Sequence, residues 1–538
     1  MSNAFDEVKV SVALLIGDDP PEQIHAMRAT IGSAVNQDHA SVEVLIVDGR
    51  GEDARPDAQW THGRAGERIR HLPGRFVNRA AMLNTALQAA TGDYLLAVFD
   101  RAHQITLRRS AIKTLVMAAV RADNPGMVYA DYERIDADGK HNERHLLDWH
   151  AGRLLDTADF GPAILFSITA LRDAGGFEER YHAADVYDMR LKVTETHPVV
   201  HVANRFAGSL YAVRAPGTAH NVFDYLLQDQ GVQREMEDAL TQHLKRVGAY
   251  LEPGVHVRKA HDATSPAAPD NACVASVIIP VNNRPEFIDR AIQSVLDQTI
   301  RAVEVIVVVN GGPDDPTIPA VRRRMDGGDR YDPGQPAVRL IVVDINNLGL
   351  CLNTGLAAAH GAYYVQLDSD DRLKPDAVEK LLAVYASDPT VAMVIGSYEV
   401  WVLDESTGRL TRDVQVPVVT HDEWTADNGR NNLLRVGGAG APRSARIEAI
   451  AGVGWFGVND DPQCRNYGED YDLVLRMSER YTIGRVWDPI YEVIRHAGGT
   501  DHSIDQDTID RNEQAKDMMR LHALRRRQRL NGWKGPQA

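Results

Sequence analysis

Residues 363–375 read YYVQLDSDDRLKP. An apolar run, Tyr363 to Leu367, ends abruptly in Asp368, Ser369, Asp370 and Asp371, so three carboxylates fall within four residues. Acids this crowded repel one another unless a cation neutralises them. All-oxygen ligands suit Mg²⁺ or Mn²⁺, ions that also take phosphate oxygens. The spacing fits a loop that holds a divalent ion against a diphosphate; it also fits a solvated acidic turn capping a helix that starts near Pro375. Two more stretches carry chemistry. NYGEDYDLVLRM (466–477) puts Glu469, Asp470 and Asp472 at the start of an expected helix. Those acids favour a helix N-terminus in any case, and one of them can serve as general base for a substrate hydroxyl. YEVIRHAGGTDHS (491–503) sets His496 between an apolar strand and Gly-Gly, as a surface histidine or as a ligand for metal or phosphate.

The elements that must position these residues alternate in type. Val277–Val281 is expected as a strand, Pro285–Gln298 as a helix, Val303–Val309 and Arg339–Val343 as strands, Leu352–Ala359 as a helix and Tyr363–Leu367 as a strand. The apolar runs are continuous, as for parallel strands buried on both faces. Strand–helix–strand order implies right-handed crossovers and an open parallel sheet, with ligands beyond the carboxyl ends of the strands. The acidic cluster lies at such an end.

The pattern occurs twice. VSVALLI from Val10 matches ASVIIPV from Ala275, VEVLIVDG from Val42 matches VEVIVVVN from Val303, and LNTALQAATGDYLLAVFD from Leu83 matches LNTGLAAAHGAYYVQLD from Leu352. Three segments in one order at a nearly constant offset indicate two copies of one fold. The expected fold class is α/β, two Rossmann-like, mostly parallel domains in tandem. Their expected limits are 8–215 and 272–500, separated by a helical segment and linker over 216–271 that includes a helix at Val222–Val247 and the stretch DATSPAAPDNA. A helical tail over 501–538 carries LRRRQRL at 524–530, expected as a solvated basic face or, alternatively, a contact for anionic lipid or a partner.

The 538 residues suit two or three domains; 44 % are apolar and 25 % charged, the balance of a soluble globular protein. A formal net charge of −16 argues against a general nucleic-acid binder. Cys273, Cys351 and Cys464 lack metal-ligand spacing and read as buried small hydrophobes in a reducing compartment. No apolar run reaches the roughly 18–20 residues of a membrane span, and the N-terminal residues lack signal-peptide order. The expected location is the cytoplasm, or the inner membrane surface.

Taken in order, ASVIIPVNN, VEVIVVVN, NNLGLCLNTGLAAAHGAYYVQLDSDD, YGEDYDLVLR and IRHAGG resemble glycosyltransferase family 2, with its GT-A fold, over most of 275–500. The first copy resembles it more weakly, over about 10–190. The resemblance implies inverting transfer of a sugar from a nucleotide diphosphate sugar to a saccharide or lipid-linked acceptor. It implies that Asp370 ligates Mg²⁺ or Mn²⁺ together with His496, and that Asp368 faces the ribose or sugar. It makes Asp470 the base and lets Glu469 shape the acceptor site. Pro280, Val281 and Asn282 begin the nucleotide pocket, and Asn310 and Asn353 complete the donor-facing set.

Two departures stand out. After the second strand many relatives have Asp-Asp, whereas this chain has Val309 and Asn310. An Asn still offers a donor and an acceptor to a base edge. In the first copy FDRAH replaces LDSDD: Asp100 remains, but Arg101 and Ala102 stand where Ser and the metal-binding Asp would be. AADVYDMRL offers Asp185 or Asp188 as the counterpart of the base, and Asp48 is kept. The first copy is expected to be non-catalytic. The alternatives are a two-site polysaccharide synthase and a non-catalytic carbohydrate-binding scaffold.

Overall fold

The computed structural model describes residues 4–17, 21–56, 68–204, 208–214, 230–260, 273–421, 428–438, 440–460, 467–496 and 505–535. It divides into two compact units, Met1–Val247 and Gly248–Ala538. The α/β class expected from the sequence is the class observed.

In the second unit four parallel strands lie in the order Ala337–Val342, Val303–Val309, Ala275–Val281, Tyr363–Gln366. Arg443–Arg446 then pairs antiparallel to Tyr363–Gln366 and passes the sheet on to Val391–Asp404 and Thr482–Arg495. Val303–Val309 is buried at every position, which is why its apolar run does not alternate. The first unit repeats the plan: Ile69–Pro73, Val42–Asp48, Val10–Ile16 and Tyr94–Val98 run parallel, and Ala163–Ser167 is the antiparallel neighbour.

The two copies share a polar knot at the same register. Ser11 pairs with Glu43 and Ser276 with Glu304 across the parallel strands. Each serine Oγ donates to its glutamate at 2.6 Å and accepts a backbone N–H at 3.0 Å, from Gly92 and Gly361 respectively. Burial alone would raise Glu43, but hydrogen bonds from Ser11 and Thr91 hold it at about 2. A carboxylate inside a sheet needs this full set of donors, so serine and glutamate recur together.

Two expectations at the domain edges change. The expected helix at Val222–Val247 is observed over Gln230–Arg246, within the first unit, where His243 and Arg246 grip Glu195 of the Asp185–Thr196 helix; residues 222–229 and the stretch 262–272 lie outside the described residues. The basic tail is a helix, Gln506–Leu530, and it is solvated only in part: Arg525 and Arg529 are exposed. Arg520 and Arg527 are completely buried. The Arg520 guanidinium donates to Tyr471 Oη at 3.1 Å, to the Val436 carbonyl at 3.0 Å and to Asp517 at 2.6 Å. Arg526 makes a two-oxygen pair with Glu479. The tail thus backs the Glu469–Ser478 helix with one face while Arg525 and Arg529 remain at the surface.

Candidate active site

The carboxyl ends of the central strands carry most of the residues singled out above. Asp368, Asp370 and Asp371 follow Tyr363–Gln366 directly. Asp371 is buried, accepts the Ile494 N–H at 2.8 Å and is pushed well above the usual carboxylate range by burial and by Asp368 and Asp370. Its role is to tie the acidic loop to the Thr482–Arg495 strand, which delivers His496. There His496 Nε2 lies 3.1 Å from Asp370 Oδ2 and its ring leans on Phe287, 4.3 Å between centroids. Arg284, from the start of the Pro285–Leu296 helix, pairs with the same Asp370 oxygen.

A second chain of bonds joins Asp368 to the candidate base. Gln366 Nε2 donates to Asp368 Oδ1 at 3.1 Å, and Arg443 Nε donates to Gln366 Oε1 at 3.2 Å. Arg443 Nη1 then meets Asp470 Oδ2 at 2.8 Å. Glu469 and Asp470 open the Glu469–Ser478 helix, behind Gly468 at φ 80°. That left-handed turn favours glycine, and a Cβ there would strike Met519 at 2.7 Å. Burial first, and the Asp470 charge second, push Glu469 up to about 8; burial likewise raises Asp368, against the pull of Arg443. One buried guanidinium therefore serves three carboxylates.

Pro280 and Val281 end the first strand of the unit, and Asn282 is exposed just beyond. Asn310 ends the next strand; its N–H donates to the Val281 carbonyl at 2.9 Å and its Nδ2 to Asn346 Oδ1 at 3.2 Å. Asn353 does not join them. Its Nδ2 donates to the Phe456 carbonyl at 2.9 Å and its Oδ1 accepts the Phe456 N–H at 3.0 Å, so both ends of the amide are spent on holding a loop. Asn84 does the same to Phe177 in the first unit. The asparagine recurs with the same loop-holding contacts in both units.

Sequence reasoning missed Arg443, Gln366 and Arg284. A glutamine inside the buried run YYVQL and an arginine amid the small residues of GAPRSA are the signals they leave; both polar groups need partners that only the fold supplies.

Among its described residues the first unit does not repeat this arrangement. Asp48 is buried under Arg50 and His71, which hold it below the usual range against the burial penalty. Asp100 accepts the N–H groups of Ala102 and His103 in its own turn. Asp185 is fully buried against Arg79, and Asp188 pairs with Lys192 at 2.7 Å.

Residues 276–431 match the model of Glycosyl transferase family 2. Those residues are similar to that family over somewhat less than a third of the chain. An uncharacterized glycosyltransferase of Rickettsia felis is 25 % identical over 383 residues, which cover 66 % of this chain and 60 % of the relative. The chain thus spans about three fifths of that relative's length. A chondroitin synthase of Escherichia coli is 35 % identical over 121 residues, 22 % of this chain and 16 % of that protein. Among solved structures, a mannosyltransferase of Pyrobaculum calidifontis in complex with GDP-Man and Mn²⁺ matches with a TM-score of 0.32 at 16 % identity, over 55 % of this chain and 85 % of that one. Within the second unit the acidic cluster falls inside the matched residues, whereas Arg443, Asp470 and His496 lie beyond them. No helix among the described residues is long and apolar enough to cross a membrane.

Proposed function

We propose that this chain is an inverting, metal-dependent glycosyltransferase, moving a sugar from a nucleotide diphosphate sugar to a hydroxyl of a saccharide or lipid-linked acceptor in polysaccharide assembly. The observation that carries the reading is the convergence of Asp370 with His496 and of Asp368 with Asp470, through Gln366 and Arg443, at one end of the parallel strands.

Each part has a role in that reaction. Asp370 and His496 are the residues that would hold Mg²⁺ or Mn²⁺. Two protein ligands suffice for such an ion, which keeps waters and binds substrate phosphates; no group of three metal-ligating side chains occurs among the described residues. The bound ion supplies positive charge to the departing nucleoside diphosphate. Pro280, Val281, Asn282 and Asn310 receive the nucleoside, and Asp368 the ribose or sugar. Asp470 takes the proton of the acceptor hydroxyl as it attacks, and Arg443 fixes that carboxylate's position. Glu469, raised to about 8, keeps its proton near neutrality and is a hydrogen-bond donor to the acceptor rather than a second base. Attack opposite the leaving group inverts the anomeric carbon, with no need for a protein nucleophile. The first unit has its counterpart acids sealed in ion pairs, which supports a non-catalytic role for it.

The deciding measurement is thermal unfolding of the full chain with UDP or GDP, with and without Mn²⁺. A ligand at 100 times its Kd stabilises by about 2.7 kcal/mol, a readily measured rise. Native protein should show a Mn²⁺-dependent rise that Asp370→Ala abolishes. Failure of every nucleoside diphosphate to stabilise the native chain would sink the proposal.

A further inference from the structure

We propose that a cavity beside Trp455 is an acceptor subsite in which a neutral pyranose ring stacks on the indole; this rests on the glycosyltransferase reading above. The cavity measures about 750 Å³ and is bordered by Trp455, Asp460, Asp472, Arg476 and Arg526. Its size is that of a small-molecule site.

The first argument is backbone strain. Trp455 sits at φ 68°, a left-handed conformation costly for a bulky side chain. The loop is over-determined around it. Arg476 donates to the carbonyls of Val453 and Trp455, the Trp455 N–H donates to the Ile450 carbonyl at 3.0 Å, and Asn353 clamps Phe456 from both sides. The first unit has the same clamp, Asn84 on Phe177, and the residue before Phe177 is Gly176 at φ 81°. The shared loop thus asks for glycine at this position, and the second unit meets the demand with tryptophan. Such strain persists where the surroundings enforce it, and such sites cluster where ligands bind. The indole gains little from burial in return, since Trp455 remains 37 % exposed.

The second argument is chemical. An indole face with a rim of hydrogen-bonding groups suits a sugar, whose ring presents C–H bonds on one side and hydroxyls at its edge. Arg476 is paired with Asp472 at 2.7 Å and Arg526 with Glu479 at 2.8 Å, while Asp460 adds a further acid. No surplus of positive charge remains for an anionic ligand, and the ion pairs disfavour a lipid chain. Position is compatible: Asp472, on the cavity's border, lies on the same helix as Asp470, two residues further on and about 3 Å along its axis. The cavity therefore borders the helix that carries the candidate base.

The test uses the full chain, with Mn²⁺ and UDP or GDP, on a printed array of defined neutral and acidic oligosaccharides. Trp455→Gly removes the ring and suits the left-handed backbone, so its unfolding temperature should match or exceed the native value. Binding to neutral glycans should weaken about tenfold, the scale of an aromatic stacking contact, with the nucleotide-induced thermal shift unchanged. Trp455→Phe should recover part of the loss. Native protein that ignores neutral glycans, or Trp455→Gly that binds them as well as native, overturns the proposal. Trp455-dependent glycan binding without any nucleotide shift would uphold the subsite and refute the transferase reading instead.

Discussion

Replacing Arg443 by methionine removes a charge while keeping most of the side-chain volume, and the structure sets the size of the effect. The Arg443–Asp470 contact is 2.8 Å, with side chains 9 % and 26 % exposed. At an effective dielectric of about 20 the gross attraction is roughly 6 kcal/mol. Desolvation offsets part of it, but deleting one partner leaves the other uncompensated, at a cost of about 3–5 kcal/mol. Asp368 and Glu469 lose the same counter-charge. Their folded-state affinity for protons, already high, rises further. Carboxyls whose folded pKa is raised contribute stability at low pH and lose it as pH climbs through that value. Arg443→Met should therefore cost about 3–5 kcal/mol near pH 8 and distinctly less near pH 5. At about 2–4 °C per kcal/mol the drop at pH 8 is on the order of 10 °C. Thermal unfolding of the full chain across that range is the assay. Adding Asp470→Asn to Arg443→Met should restore part of the loss, a coupling of about 0.5–3 kcal/mol. Equal destabilisation at both pH values, or no recovery in the double variant, would refute the view that one guanidinium serves three acids.

Other expectations follow from the same contacts. Asp470→Asn should keep the nucleotide-induced thermal shift and lower transfer by about 10²–10⁴-fold; radiolabelled donor turnover measures this, and near-native transfer would remove Asp470 as base. Glu469→Gln mimics the protonated acid, so native stability should decline relative to the variant as pH rises toward about 8, and parallel unfolding curves for the two would contradict that protonation state. Asp100→Ala should leave transfer almost intact, because the Asp100 carboxylate serves its own turn; a collapse of activity would show that the first unit works.

The strands were legible because burial on both faces writes itself as uninterrupted apolar runs, and the Ser11–Glu43 and Ser276–Glu304 knots repeat with them. The acidic loop was legible because crowded charge needs an explanation. What stayed hidden were partnerships over long separations. Asn353 looked like part of the donor site because it recurs in a motif, yet its partner Phe456 is 103 residues away. Arg443 reaches Asp368 by way of Gln366, a relay no spacing announces. Burial of Arg520 and Arg527 stayed hidden because composition is blind to acceptors such as Tyr471 Oη and the Val436 carbonyl, which make burial of Arg520 tolerable.

The Gln506–Leu530 helix also has a bearing on biosynthesis. Met519 lies against Gly468 and Arg520 holds Tyr471, the residue next to Asp470. As the polypeptide leaves the ribosome, the sheet and its acidic loop emerge well before this brace. A nascent chain stalled ahead of residue 506 would expose a finished nucleotide fold whose proton acceptor still lacks its support. Competence for transfer would then arrive late and abruptly, and a premature stop codon near this helix should yield a donor-binding but idle protein.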